Sequence, residues 1–498
     1  MTENDRSKVL AAIAGIQSVA ERENNRERRL EDFLVMPEYS RLREPDRFLI
    51  LGGRGAGKTR VFRVLTETPD GFAKIIGEQR TIVGPNADNT HVLTGYNVHR
   101  DFPASSILDS CADDKNARAY WAGSLLLVLM HKAPENLGLR EIVLQYLNPD
   151  AAAQFRSFES VKRPKQWLSY IQENPEVWEN ILDEMDEQLE RQNRWIFVAY
   201  DALDCVASQY SDLFPFLRTL LSFWYTHSRR WQRLHCKIFL RNDLYQSQLL
   251  SFTDSSKLSN CIINLVWNTT SLYRLLIKRI ANAGSPEAVA YLEQIPQLIR
   301  SDPDPALGYI PTEKKDKIEK FVEMLLGIYM GKSPKQGRSY SWVPNHLQDA
   351  NGVLSPRPFL KCFSIAAQGM CEHPEEREKL KEPQLISPTR IQGALVAVSD
   401  DRVKELQEEY SWLEELKGAF SGLTMLMDQQ VFIERINMDL WDEDRKKILP
   451  ERSPQGIFSV LKNLGIVMIA SDGRVNVPEI YLHGFRMKRK GGLRRPTE

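Results

Sequence analysis

Several common signatures are missing from this 498-residue sequence, and each absence removes a class of function. Its six cysteines (Cys111, Cys205, Cys236, Cys261, Cys362, Cys371) form no C-x-x-C pair. That pattern fits a reduced chain with incidental thiols, not a disulfide framework or a paired-cysteine metal site. Excess charge of either sign is missing: Lys plus Arg and Asp plus Glu each count 66. No global field draws the chain to nucleic acid or a membrane, so any such contact must come from a local patch. Long apolar runs are missing as well. The longest, Leu125 to Met130, is far too short to cross a bilayer. The opening "MTENDRSKVL" is polar and unlike a signal peptide, so the expected location is the cytoplasm, with no membrane partner. Eight histidines show neither H-E-x-x-H nor metal spacing, and G-x-S-x-G does not occur. Protease, esterase and zinc-enzyme readings fall away. There is no internal repeat, no long low-complexity segment and no visible nuclease or deaminase domain.

What is present is concentrated in "GGRGAGKTRVFRVL", Gly52 to Leu65. Residues Gly52, Gly53, Arg54, Gly55, Ala56, Gly57, Lys58 and Thr59 spell G-x-x-x-x-G-K-T, and Arg60 follows. The apolar run "RFLIL" (47–51) before them predicts a buried strand, and a helix is expected from Lys58. That strand–loop–helix context is what a phosphate-binding loop requires. Glycines let backbone N–H groups approach a ligand without Cβ obstruction, and the helix end adds its dipole. Lys58 is expected to reach the β- and γ-phosphates of a nucleotide, and the Thr59 hydroxyl to bind Mg²⁺.

The rest of the chain alternates strands and helices. Residues 4–32 read as helical, with Val9, Leu10, Ile13 and Ile16 at helical spacing and a charged run after them. That run fits either a solvated face or an oligomer contact. Residues 67–90 read as loop or irregular insertion. Residues 103–193 read as mostly helical, punctuated by Pro164 and Pro175. "RWIFVAYDALD" (194–204), "CKIFL" (236–240) and "CIINLVW" (261–267) read as further buried strands, and a helix carrying Leu213 to Trp224 separates the first two. The pattern predicts a largely parallel, doubly covered sheet. From 271 to about 400 the signal is helical. Then "SPQGIFSVLKNLG" reads as a helix capped by Ser453 and stopped at Gly465, and "IVMIASDGRVNVPEIY" as a hairpin turning at Asp472-Gly473. Helices followed by a two-stranded wing suggest a winged helix.

Acids at strand ends complete the candidate site. Asp201 is expected at the carboxyl end of a strand beside the phosphate-loop strand, holding Mg²⁺ through water. Asp204 is the candidate to accept a proton from an attacking water, or else a cap of the next helix. "FLRNDLY" places Arg241, Asn242 and Asp243 at the same edge. Arg241 and Asn242 are candidates to position water and sense the γ-phosphate, with a plain turn as the alternative. Arg229, Arg230 and Arg233 offer an arginine finger in trans, or a solvated helix end. Ser355-Pro356 reads as a helix start that puts Arg357 in its first turn, within reach of a γ-phosphate or simply exposed.

These motifs, GGRGAGKT, the acid pair in "YDALD", "FLRND" and "SPR", resemble the P-loop ATPases of the AAA+ and STAND group. More narrowly they are similar to bacterial ATPases of mobile-element and antiphage-defence clusters. The resemblance implies an α/β parallel-sheet P-loop NTPase core with a helical insertion, a helical lid and a C-terminal winged helix. The implied organisation is a helical segment at 1–40, the core at 41–270 with its insertion at about 103–193, the lid at 271–400, and the winged helix with a basic tail at 401–498. It also implies ATP and Mg²⁺ as ligands, a homo-oligomer, and an effector protein as partner. An acid immediately after Asp201 is missing, and Asp204 stands three residues on instead. The absence of N-K-x-D favours ATP over GTP, and the absence of L-S-G-G-Q argues against a transporter-type ATPase.

"GFRMKRKGGLRR" (484–495) is locally basic, with Arg486, Lys488, Arg489, Lys490, Arg494 and Arg495. It suits phosphate contacts to nucleic acid, a soluble tail, or an acidic protein partner. Two functional readings stand open: an ATPase coupling hydrolysis to oligomerisation or conformational switching, and a nucleotide-gated scaffold or DNA-binding adaptor with little turnover. A P-loop kinase is a third, disfavoured by the lid and winged helix.

Overall fold

A computed structural model describes residues 2–16, 30–77, 84–156, 161–245, 250, 255–436, 446 and 449–489. They form two compact units, one of Val35–Leu265 and one of Met1–Leu34 with Val266–Glu498. Helix α1 (Glu3–Ala14) opens the chain and belongs to the second unit. It stops at Gly15, well before the end of the expected helix at 32, and the charged stretch 17–29 lies outside the described residues.

The unit Val35–Leu265 is built on a parallel sheet of β1 (Leu49–Gly52), β2 (Thr90–Tyr96), β3 (Trp195–Tyr200), β4 (Leu234–Arg241) and β5 (Ile262–Asn264). Their order is β2–β3–β4–β1–β5. One expectation needs correction. The acid-bearing strand β3 is not beside β1, because β4 lies between them. Seven of the eight residues of β4 are buried, the profile of a strand covered on both faces, and so it takes the centre.

Helix α2 (Lys58–Glu67) follows the glycine loop as expected. The segment 67–90 is not all loop: α3 (Gly71–Ile76) forms within it, and β2 begins at its end. Three of the seven residues of β2, His91, Val92 and Thr94, are only half-buried, so its apolar pattern is diluted. It also carries Gly95, where a Cβ would sit 2.6 Å from the Tyr200 ring of β3, so only glycine lets the two strands meet. Between β2 and β3 the chain forms α4 (Asp114–Lys132), Leu139–Tyr146, Pro149–Phe155, Leu168–Glu173 and α5 (Pro175–Arg191). Pro175 occupies the first turn of α5, where its missing N–H costs nothing. Helix α6 (Tyr210–His227) then leads to β4.

α4 is buried nearly all round, and it packs on α6 through Trp121, whose Nε1 donates to the Phe216 carbonyl at 2.9 Å. That bond meets the polar requirement of a fully buried indole. Asp186 of α5 accepts from three backbone N–H groups, of Gln232, Arg233 and Leu234, each at 2.8 Å. This grip fixes the entry of β4, and with it the position of Arg241 at the other end.

The second unit is mainly helical. α7 (Thr269–Ala281) and α9 (Pro356–Glu372) pack with α1, α8 (Lys315–Leu326) packs on α7 and α10 (Pro388–Glu409) on α9, and Ser364 Oγ donates to the Ala14 carbonyl at 2.6 Å. Its last portion has a separate apolar core from Val403 to Met487. There α11 (Leu413–Phe420), β6 (Thr424–Met425), α12 (Gln429–Glu434) and α13 (Pro454–Asn463) precede a short antiparallel hairpin of β7 (Met468–Ile469) and β8 (Val475–Asn476). α14 (Glu479–Leu482) and β9 (Lys488–Arg489) follow. Ser453 accepts from Gly456 N at 3.0 Å, the expected cap, and Gly473 turns the hairpin at φ 83°.

The basic stretch is not wholly a tail. β9 pairs parallel with β6, and Arg489 donates to the Asn476 side chain at 3.2 Å and meets Glu479 at 3.5 Å. Arg486 and Lys488 are exposed. Lys490, Arg494 and Arg495 lie outside the described residues. Among the described residues no helix is long and apolar enough to cross a membrane.

Candidate functional site

The carboxyl ends of β1, β4 and β3 bring the predicted residues to one edge. In register, Gly52 lies opposite Arg241, and Tyr200, which precedes Asp201, lies opposite Ile238 on β4. Crevices at the carboxyl ends of parallel strands are the ligand-binding edge of such sheets.

The loop itself is shaped by two left-handed glycines, Gly55 at φ 77° and Gly57 at φ 93°. The Ala56 N–H donates to the Gly53 carbonyl at 3.2 Å, closing the turn. Lys58 folds back over it, its Nζ donating to the carbonyls of Gly52 and Gly53 at 3.0 Å each. Burial pulls the Lys58 ammonium down to about 8, against the attraction of Asp201. Arg54 sits in the loop and Arg60 in the first turn of α2, both half-buried.

Asp201 is almost fully buried, and its N–H donates to the Tyr96 carbonyl of β2 at 3.0 Å. Its carboxylate lies beside the Thr59 hydroxyl and the Ala202 N–H. Burial raises its pKa, and these two neighbours oppose the rise. Thr59 and Asp201 are far apart in sequence, and both are the expected metal ligands. A buried carboxylate beside a hydroxyl is a hard-oxygen donor set of the kind Mg²⁺ takes.

Ala202 adopts a left-handed backbone at φ 54°, unusual for a residue with a Cβ. The chain turns there into a short 3₁₀ helix, Leu203–Cys205, that carries Asp204. Asp204 does not cap the next helix, since α6 starts at Tyr210 with Gln209 in the cap position. Its carboxylate instead meets Arg241 Nη1 at 3.4 Å. Asn242 opens a short helix, Asn242–Tyr245, at the end of β4.

Within the first unit, the arginines offered as a finger lie away from this edge. Arg229 stacks over Tyr225, Arg230 pairs with Asp183, and Arg233 covers Trp195 just before β4 begins. That is the amino end of β4, some 23 Å of strand from Arg241 at about 3.3 Å per residue. Arg357 occupies the first turn of α9, as the Ser355-Pro356 start predicts, and pairs with Glu405 of α10 at 3.0 Å within the second unit.

Two residues of the first unit carry chemistry that sequence reasoning passed over. Asp243 holds Arg241 through two bonds. Its acid was visible in "FLRND", but nothing in the string says that the chain turns there. Lys237 is buried in the middle of β4, where the run "CKIFL" gives no sign of how its ammonium is satisfied.

No family model matches the sequence, and no curated protein matches it. Among solved structures, that of the Aeropyrum pernix ORC2 protein in ADPNP–ADP complexes aligns with 90% of this chain and 92% of that one. Identity is 12% and the TM-score 0.27. The assignment of a P-loop α/β core with helical domains therefore stands on the sheet order and the loop geometry described above.

Proposed function

We propose that the chain binds ATP with Mg²⁺ at the carboxyl edge of the sheet and hydrolyses it, coupling nucleotide state to a change of conformation or assembly. The observation that carries this is the glycine loop spanned by Lys58, with the buried Asp201 at the carboxyl edge of the same sheet. Residues Gly52 to Arg60 supply backbone donors and cations for the phosphates. Lys58 neutralises charge on the β- and γ-phosphates. Thr59 and Asp201 would hold Mg²⁺, which when bound draws electron density from the phosphate oxygens. Asp204, about 40% exposed, faces solvent at the same edge and is placed to orient a water and take its proton. Arg241 and Asn242 stand beside it at the end of β4.

A second reading has an observation of its own. Asp204 is already ion-paired with Arg241, so its carboxylate is partly engaged. A nucleotide-gated scaffold with little turnover fits that contact. The helix–hairpin portion after α10 supports a winged-helix reading, with nucleic acid or a protein as its partner. Homo-oligomerisation, an effector partner, STAND affiliation and a role in antiphage defence belong to the same proposal and rest on the sequence resemblance. A phosphate-release assay separates the two readings. Hydrolysis by the wild type, lost in Asp204→Asn while ATP binding persists, supports the first. Binding without release supports the second.

A further inference from the structure

We propose that Asp243 is a positioning residue that fixes the Arg241 guanidinium beside Asp204; this rests on the nucleotide reading above. Arg241 is the last residue of β4 and lies opposite Gly52 in the sheet. A long arginine side chain at a strand end would ordinarily sample many rotamers. Here the chain turns into the helix Asn242–Tyr245 directly after the strand, and that turn returns the Asp243 carboxylate onto its neighbour but one. Arg241 Nε donates to Asp243 Oδ1 at 3.1 Å and Nη2 to Oδ2 at 2.7 Å. Two parallel contacts fix the plane of the guanidinium as well as its position. The outer nitrogen, Nη1, is left directed at Asp204 Oδ2 at 3.4 Å. Arg241 is mostly buried, with only 13% of its side chain exposed. The cluster reaches the loop electrostatically, because Asp201, Arg241, Asp204 and Asp243 all act on Lys58.

The arrangement divides one cation between two acids. Asp243 takes two nitrogens and leaves Asp204 a long, single contact. Without the Asp243 carboxylate, the guanidinium is free to turn fully onto Asp204 and close a tighter pair with it. That change would withdraw the candidate base from water while leaving the phosphate cradle intact. Asp243 therefore acts on turnover through Arg241, and its removal should leave nucleotide affinity alone.

The test uses the full chain and its Asp243→Asn, Asp243→Glu, Arg241→Ala and double Arg241→Ala/Asp243→Asn variants. Steady-state kcat and KM for ATP, the Kd for a non-hydrolysable ATP analogue and the thermal midpoint are measured for each. Asp243→Asn should lower kcat on the order of tenfold to a hundredfold, the range that misplacing a reacting group costs, with Kd within about twofold of wild type. Asp243→Glu, which can still pair, should recover most of that loss. The double variant should be no slower than Arg241→Ala alone, because both losses pass through one group. The proposal is overturned if the two single losses multiply in the double variant. It is also overturned if Asp243→Asn turns over like wild type, or if nucleotide affinity and thermal midpoint fall together with kcat, the mark of a merely structural role. A wild type that binds the analogue and hydrolyses ATP while Asp243→Asn matches it sinks this inference alone. A wild type that binds no nucleotide sinks the underlying reading and this one with it.

Discussion

Lys237 gives a prediction that reads the fold around the site through pH. Its ammonium is 1% exposed at the centre of β4, the strand that separates the loop strand from the acid strand. Nζ donates to the carbonyls of Glu44 at 2.7 Å and Arg47 at 2.9 Å and lies 4.5 Å from the centre of the Phe197 ring. Burial pulls its pKa down from 10.5 to about 7, only partly resisted by nearby acids. The folded chain then binds fewer protons than the unfolded chain between those two values. Stability contributed through this group must therefore rise as pH climbs from about 7 toward 10.5. Integrating one proton's linkage between pH 7 and pH 9 gives a gain of about 2 kcal/mol. Lys58 shifts in the same direction, so the measurement needs a variant as reference. His235, two residues before, is held down to about 4 and does not titrate in this window. Lys237→Met keeps the apolar stem and removes the titration. Denaturant unfolding at pH 7 and pH 9 follows the first unit well by intrinsic fluorescence, because six of the ten tryptophans lie between residues 35 and 265. The expected result is a wild-type gain exceeding that of the variant by about 2 kcal/mol. Equal gains in the two proteins would refute the burial argument for Lys237.

Three further outcomes follow from single contacts. Asp186→Ala strips three backbone N–H groups of their acceptor, that of Leu234 fully buried, and should cost on the order of 2 kcal/mol, read as a fall in the same fluorescence midpoint. Ser453→Ala removes the cap of α13 and should cost about 1 kcal/mol, read by circular dichroism in thermal melts; an unchanged melt would mean that the cap carries no weight. Asp201→Asn should leave a chain that binds ATP with little response to added Mg²⁺, measured by titrating ATP with and without the ion, whereas full Mg²⁺ enhancement in the variant would show that the metal is held elsewhere.

Local chemistry explains which parts of this fold were readable from sequence. The loop was legible because its glycines permit backbone shapes closed to other residues, and Gly55 and Gly57 adopt them at positive φ. The strands β1, β3, β4 and β5 were legible as apolar runs, since buried parallel strands carry no competing polar face. β2 was missed because this edge strand carries half-buried polar residues among its apolar ones and Gly95 breaks its alternation. Strand order was missed for a different reason. A run such as "RWIFVAYDALD" records that a strand is buried and says nothing about its neighbour, so β4 could not be placed between β1 and β3. Site residues divide the same way. Thr59, Asp201 and Arg241 announce themselves at strand and helix ends. The Asp243 clamp depends on an abrupt turn after β4, and the engagement of Arg489 depends on β9 pairing with β6, both of them products of tertiary structure.

The most direct test is a calorimetric titration of ATP with Mg²⁺ into the full chain and into Lys58→Ala. A saturating heat for the wild type, absent from the variant, is the predicted result. No heat with the wild type, or the same heat with both proteins, would contradict the claim that the glycine loop, Lys58 and Asp201 form one nucleotide site.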